Sequence, residues 1–123
     1  MFTVKVTSKF SSAHYLREYK GKCEDLHGHN WRVEVVVAAK ELDKAGLGID
    51  FKILKKQTNS LLDELDHKYL NDLTPFKNNS PSSENISRYL FERLSETLNN
   101  ENITVEKINV WESENACASY SLD

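Results

Sequence analysis

The sequence predicts an α+β domain in which a four-stranded antiparallel sheet carries two helices on one face, in the chain order strand, strand, helix, helix, strand, strand. Two observations carry the prediction. The chain opens with two stretches in which apolar and polar residues alternate, and its tail closes with two more. Between them, two stretches repeat apolar residues at the spacing of a helix face. A length of 123 residues suits one domain, spanning 1–123, whose core needs no disulfide or metal staple.

From Phe2 to His14, one parity reads Phe2, Val4, Val6, Ser8, Phe10, Ser12 and His14, and the other Thr3, Lys5, Thr7, Lys9 and Ser11, as in a half-buried strand. A second strand, from about His29 to Leu42, sets Trp31, Val33, Val35, Val37 and Ala39 against Arg32, Glu34 and Lys40. The residues between, with Gly21 and several charges, form a long connecting loop. After a turn over 43–48, Asp50 caps a helix with Phe51, Leu54, Leu61, Leu62 and Leu65 on its apolar side, ending near Asp66. Residues 71–83, with Pro75, Pro81 and an Asn-Asn-Ser run, read as loop. Ser82 or Ser83 then caps a second helix bearing Ile86, Leu90, Leu94 and Leu98, closed by Asn99 and Asn100. The last strands run through Ile103, Val105, Ile108 and Val110 and through Ala116, Ala118, Tyr120 and Leu122. The change of parity between Val105 and Ile108 predicts a bulge. The face bearing Thr3, Lys5, Thr7, Lys9, Arg32 and Glu34 is polar, and edge-to-edge assembly would protect the open sheet edges.

A hydrophobic fraction of 39% with 28% charged residues is that of a soluble globular protein. No stretch approaches the ~20 apolar residues of a membrane span, and the immediate alternation of Met1 to Val6 is unlike an export signal, so a cytoplasmic protein is expected. Cys23 and Cys117, far apart in the chain, fit reduced thiols better than a disulfide scaffold, with Cys117 as a small buried strand residue. A net charge of -3 gives no general affinity for nucleic acid.

Three of the four histidines fall at the ends of the first two strands. His14 has the parity of the apolar residues of its strand, and His27 and His29 share that of Trp31 and Val33. If the strands pair as a hairpin about the residue 15–26 loop, the three imidazoles converge. Three histidines around one ion match a catalytic zinc site, which keeps a position open, whereas a structural site fills every position with protein. Cys23, at Cys-x3-His-x-His spacing, is the alternative fourth ligand, although a domain that folds unaided gains little from a structural zinc. Asp25, Glu24 and Glu112 are candidates to receive the second ring N–H of a ligating histidine.

Phe10-Ser11-Ser12-Ala13-His14, Cys23-Glu24-Asp25-Leu26-His27-Gly28-His29-Asn30, Ile49-Asp50-Phe51, Leu65-Asp66-His67-Lys68-Tyr69-Leu70-Asn71, Pro81-Ser82-Ser83-Glu84-Asn85 and Glu112-Ser113 follow one another along the chain. Together they resemble the 6-pyruvoyltetrahydropterin and 6-carboxytetrahydropterin synthase family over nearly its whole length. The resemblance implies the tunnelling fold, in which sheets from several subunits close into a barrel with active sites between subunits. The family forms homo-oligomers, hexamers built as two trimers. The resemblance further implies Zn2+ on His14, His27 and His29 and a substrate of the 7,8-dihydroneopterin triphosphate class. Cys23 and His67 would transfer protons, Asp66 and Glu112 would be their acidic partners, and Glu84 would anchor the pterin ring. Ser82 and Ser83 stand beside Glu84 where the family commonly has threonine.

These roles have a chemical basis. A zinc ion can polarise substrate hydroxyls, and a nearby cation favours a thiolate base. A carboxylate such as that of Glu84 can accept two hydrogen bonds from the 2-amino group and N3–H of a pterin, although acids are also common in first helical turns. His67 also suits a simple helix C-cap, and because neighbouring side chains rarely hydrogen-bond, both Asp66 and Glu112 stand as its partner. Lys9, Lys20, Lys22 and Lys68 are available to a triphosphate, with none assigned. The compact chain and short Cys-to-His spacing favour the carboxy branch, which releases acetaldehyde and triphosphate on the route to queuosine; the pyruvoyl branch is the alternative. Readings of other classes are a non-catalytic zinc-binding assembly module and a zinc hydrolase of another small molecule.

Overall fold

The alternation of the first two segments becomes an unbroken antiparallel ladder. In the computed structural model, which describes residues 1–123, β1 (Phe2–His14) pairs with β2 (His27–Ala39) from Phe2 opposite Ala39 to His14 opposite His27. β2 therefore begins at His27, two residues before its expected start, because its ladder continues to the end of β1. It stops at Ala39 because Asn102 Oδ1 accepts the N–H groups of Lys40 at 3.1 Å and Glu41 at 2.8 Å. β3 (Ile103–Ser113) and β4 (Ala116–Tyr120) complete a four-stranded antiparallel sheet in the order β1-β2-β3-β4.

Both irregularities in the sheet lie on β3. Val36 faces Lys107 and Val37 faces Val105, which leaves Glu106 without a partner in β2 and puts a bulge at the parity change. Trp111 faces Cys117 while Ser113 faces Ala116, so Glu112 is a second bulge, which the alternation did not announce. Cys117 is exposed rather than buried, because β4 pairs through it on the outer side of the sheet end. Leu122 falls beyond β4 and is 72% exposed.

The helices cover the apolar face, α1 (Phe51–Asp63) over β1 and α2 (Ser83–Leu98) over β3 and β4. The Asp50 carboxylate caps α1 by accepting the N–H of Lys52 at 2.8 Å, and the Ser82 hydroxyl caps α2 by accepting that of Asn85 at 3.1 Å. α1 buries Leu54, Thr58, Leu61 and Leu62, whereas Phe51, expected on that side, is 61% exposed. It also ends at Asp63, short of Asp66. α2 buries Ile86, Leu90, Phe91, Leu94 and Leu98. Trp31, Val33, Val35, Val37, Ile108 and Val110 meet these helices in one continuous core. No helix is long and apolar enough to cross a membrane.

The segment expected as loop contains two short 3-10 turns, Leu70–Asp72 and Thr74–Phe76. Just before them the chain runs along the free edge of β1. His67 N–H donates to the Ser11 carbonyl at 2.6 Å and Ala13 N–H to the Lys68 carbonyl at 3.1 Å. Residues 66–69 are thereby fastened beside the end of β1 that carries His14.

Candidate active site

His14 stands directly opposite His27, and His29 stands opposite Ser12, two residues along on the same side of β2. Side chains two apart on a strand share a face, so the ladder alone brings the three rings together. The ring centroids of His14 lie 4.6 Å from His27 and 5.1 Å from His29, and those of His27 and His29 are 4.8 Å apart. Trp31 lies beneath, edge-on to His14 at 4.9 Å and His29 at 5.0 Å, and is itself fully buried against Phe10.

One nitrogen of each opposed ring is engaged by backbone. His14 Nδ1 donates to the Pro81 carbonyl at 2.7 Å and His27 Nδ1 to the Asp25 carbonyl at 2.8 Å. Such bonds fix the tautomer and turn the Nε2 lone pair away from the carbonyl. His14 Nε2 and His29 Nε2 are buried and have no hydrogen-bond partner. Two buried unpartnered ring nitrogens are costly in an interior that otherwise pairs its polar atoms. One ligand atom from each of the three histidines falls within 4.8 Å of the others, so the set could hold a metal ion. A zinc–nitrogen bond of about 2.1 Å would draw such atoms to about 3.4 Å apart, a small closure of the rings. Burial lowers the pKa of His14 and the neighbouring His27 and His29 add to this, against the opposing pull of the Pro81 carbonyl. The neutral ring so favoured is the form that binds metal.

Of the three candidate acids around these rings, Asp25 contributes only its carbonyl, the Glu24 carboxylate lies 3.9 Å from His27 Nδ1, and Glu112 Oε2 lies 3.6 Å from His29 Nε2. Glu112 reaches this position from the second bulge of β3. Within the chain it therefore faces His29, and the carboxylate that meets His67 is that of Asp66. Asp66 Oδ2 accepts from His67 Nδ1 at 2.8 Å and Asp66 Oδ1 accepts the Ser11 N–H at 2.8 Å. Neighbouring side chains meet here because His67 has a φ of 54°, the left-handed conformation, which folds its ring back over the preceding residue. The Ser11 N–H, and after it the His67 ring, hold the Asp66 carboxyl below its ordinary value. With its Nδ1 occupied and its side chain 81% exposed, His67 offers Nε2 outward.

Cys23 is exposed and stands outside the histidine cluster, on a loop whose base is closely held. Glu24 N–H donates to the Leu16 carbonyl at 2.9 Å and Glu24 Oε1 accepts the Leu16 N–H at 3.1 Å. The buried Asn71 amide pairs with both backbone groups of Tyr15, accepting its N–H and donating to its carbonyl, each at 2.9 Å. Ser82 spends its hydroxyl on the helix cap, Ser83 begins α2, and Glu84 is exposed in the first turn. This helix start is joined to the histidine cluster through Pro81. Sequence reasoning missed Asn71, the Ser11 backbone and the Pro81 carbonyl. Asn71 closes a motif already in view, whereas a backbone carbonyl leaves no mark in side-chain chemistry.

Comparison with known proteins agrees with this geometry. The family model described as 6-pyruvoyl tetrahydropterin synthase matches residues 3–123. A Synechocystis protein named 6-carboxy-5,6,7,8-tetrahydropterin synthase is 38% identical over 101 residues, covering 78% of this chain and 77% of its own. A Pyrococcus furiosus protein named dihydroneopterin monophosphate aldolase is 32% identical, covering 85% of this chain and 84% of its own. The solved structure of Caenorhabditis elegans 6-pyruvoyl tetrahydropterin synthase superposes with a TM-score of 0.83 at 28% identity, over 99% of this chain and 96% of that one. A histidine cluster at the mouth of a β1–β2 hairpin, an Asp-His pair sewn to the edge of β1 and a match along almost every residue make the chain a member of the 6-pyruvoyl tetrahydropterin synthase family.

Proposed function

We propose that the protein converts 7,8-dihydroneopterin triphosphate and water to 6-carboxy-5,6,7,8-tetrahydropterin, acetaldehyde and triphosphate, the reaction that feeds queuosine synthesis. The observation that carries this reading is the three-histidine cluster with two buried, unpartnered ring nitrogens. Relatives named for the carboxy reaction, with the Cys23-to-His27 spacing, support this branch over the pyruvoyl one.

Zinc held by His14, His27 and His29 would supply Lewis acidity toward the substrate's side-chain hydroxyls, so that adjacent C–H protons leave near neutral pH. Glu84 binds the pterin edge, with Ser82 and Ser83 beside it, and presents the side chain to the histidine cluster. Cys23 takes a proton from the substrate side chain. His67, its Nδ1–H held on Asp66, takes or returns a second proton at Nε2. Glu112 stands beside His29 at the same end of the site. The working form is a cytoplasmic homo-oligomer with sites between subunits. The exposed Leu26 and Tyr69, 53% and 59% exposed beside the site residues, support this, and light scattering of the purified protein tests it, a monomer overturning it.

The decisive experiment is incubation of zinc-loaded protein with 7,8-dihydroneopterin triphosphate and identification of products by mass spectrometry. Acetaldehyde with the carboxypterin supports the reading; a pyruvoylpterin moves it to the sister branch; unchanged substrate sinks it. The aldolase name of the Pyrococcus relative favours a second reading, side-chain cleavage of the monophosphate, which the same assay with the monophosphate substrate separates.

A further inference from the structure

The polar face of the sheet holds a cleft of about 760 Å3, lined by His29 and Glu112 at its metal-ligand end and by Lys9, Arg32 and Trp111 on its wall. Lys9 and Arg32 are direct cross-strand partners, in the row next to Phe10 and Trp31. Like charges opposed across a strand pair destabilise a sheet, and no carboxylate pairs with either, since the ion pairs of the chain lie elsewhere. The Arg32 guanidinium nevertheless stacks on an aromatic ring, with its central carbon 4.0 Å from the centroid of Trp111. Stacking holds the planar fork in place while leaving its N–H groups free for an anion.

The cleft also has the right place relative to the rest of the site. The substrate class proposed above has a pterin ring at one end, a short hydroxylated chain in the middle and a triphosphate at the other end. Glu84 sits on α2, on the helix-covered face, joined to the histidine cluster through Pro81 and His14. Lys9 and Arg32 sit on the opposite face, reached past His29. We propose that Lys9 and Arg32 bind the triphosphate of the substrate, Arg32 with its stacked fork and Lys9 as a point charge. Of the two carboxylates that line the same cleft, Glu112 and Glu114, Glu112 stands beside His29, repels phosphate from the histidine end and so sets the direction in which the chain lies. This rests on the function proposed above and adds the residues that select a polyphosphate.

Calorimetric titration of the zinc-loaded protein with sodium tripolyphosphate, for wild type, Lys9→Ala and Arg32→Gln, tests the assignment without turnover. Each substitution weakens binding about 10- to 100-fold, the loss of a charge-assisted hydrogen-bond partner, while zinc content stays the same. Whatever affinity the metal lends to the anion is common to the three proteins, so only their difference counts. Equal binding by all three, or none by wild type, overturns the assignment. Turnover kinetics separate the two claims. Binding that depends on Lys9 and Arg32 in a protein that leaves dihydroneopterin triphosphate unchanged keeps the site and overturns the function. Turnover with unaltered KM in both variants does the reverse.

Discussion

Replacing Asp66 with asparagine keeps the shape of the side chain and inverts one hydrogen bond. In the native pair both carboxylate oxygens accept, one from Ser11 N–H at 2.8 Å and the other from His67 Nδ1 at 2.8 Å. The imidazole proton is therefore on Nδ1 and the lone pair on Nε2. In Asp66→Asn the amide oxygen stays on Ser11 and the NH2 group faces Nδ1. Two donors cannot share that contact, so the ring changes to the tautomer with its proton on Nε2 and ceases to be a base there. A positioned general base is worth about 10²- to 10⁴-fold, and kcat falls by about this factor while zinc content and thermal unfolding stay near wild type. Nitrogen-15 NMR of His67 reads the tautomer without reference to turnover. The pair also survives acid, because the folded carboxyl lies below its ordinary 3.8, held there by Ser11 first and His67 second. A depressed carboxyl contributes fully above its unfolded pKa and loses that contribution only as pH falls through the folded value, so the Asp66 carboxylate that accepts from His67 is still ionised at about pH 5. An Asp66→Asn variant with wild-type kcat, or with its imidazole proton still on Nδ1, refutes the reasoning.

Asn71→Ala removes two hydrogen bonds of 2.9 Å from a residue only 6% exposed and leaves both backbone groups of Tyr15 without partners. At about 1–2 kcal/mol for each group the loss is about 2–4 kcal/mol, or about 8–16 °C in Tm for a domain of this size; an unchanged scanning-calorimetry midpoint would contradict it. His27→Ala loses the bound zinc by metal analysis, whereas Cys23→Ala keeps zinc and loses turnover. Release of zinc from Cys23→Ala would make that cysteine a ligand and the centre structural. Trp31→Ala, at the fully buried floor of the cluster, costs about 3–5 kcal/mol in denaturant unfolding and weakens zinc binding, and a variant with full zinc affinity would show that the ladder alone aligns the rings.

The histidine cluster was legible because a strand has a period of two. Once His14, His27 and His29 share the parity of Phe10 and Trp31, an antiparallel hairpin can only bring them to one face, and the ladder from Phe2–Ala39 to His14–His27 does so. The bulge at Glu106 was legible for the same reason, as a break in that period. Phe51 shows the limit of periodicity in helices: it lies at an apolar spacing, but it is exposed in a surface groove beside Lys5 and Thr7 of β1. The Asp66–His67 contact stood only as one of two alternatives, since it depends on a left-handed φ of 54° at a residue that no glycine or asparagine marks.

Where the ladder is regular, sequence pattern locates side chains; the chemistry gathers where it stops being regular. His14 and His27 end β1 and begin β2, Glu112 is extruded at a bulge, His67 turns left-handed at the free edge of β1, and Pro81 supplies a carbonyl just before a helix cap. Resemblance to a family can name such residues, but it cannot pair them. Glu112 and Asp66 both stood as partners for His67, and only the register of β3 sends Glu112 to His29, 3.6 Å away, leaving the pair at the edge of β1 with a single acid. The two carboxylates therefore face different histidines, Glu112 facing His29 and Asp66 facing His67, and substitutions at them should disturb separate properties, the tautomer of His67 in the case of Asp66 and the histidine cluster in the case of Glu112.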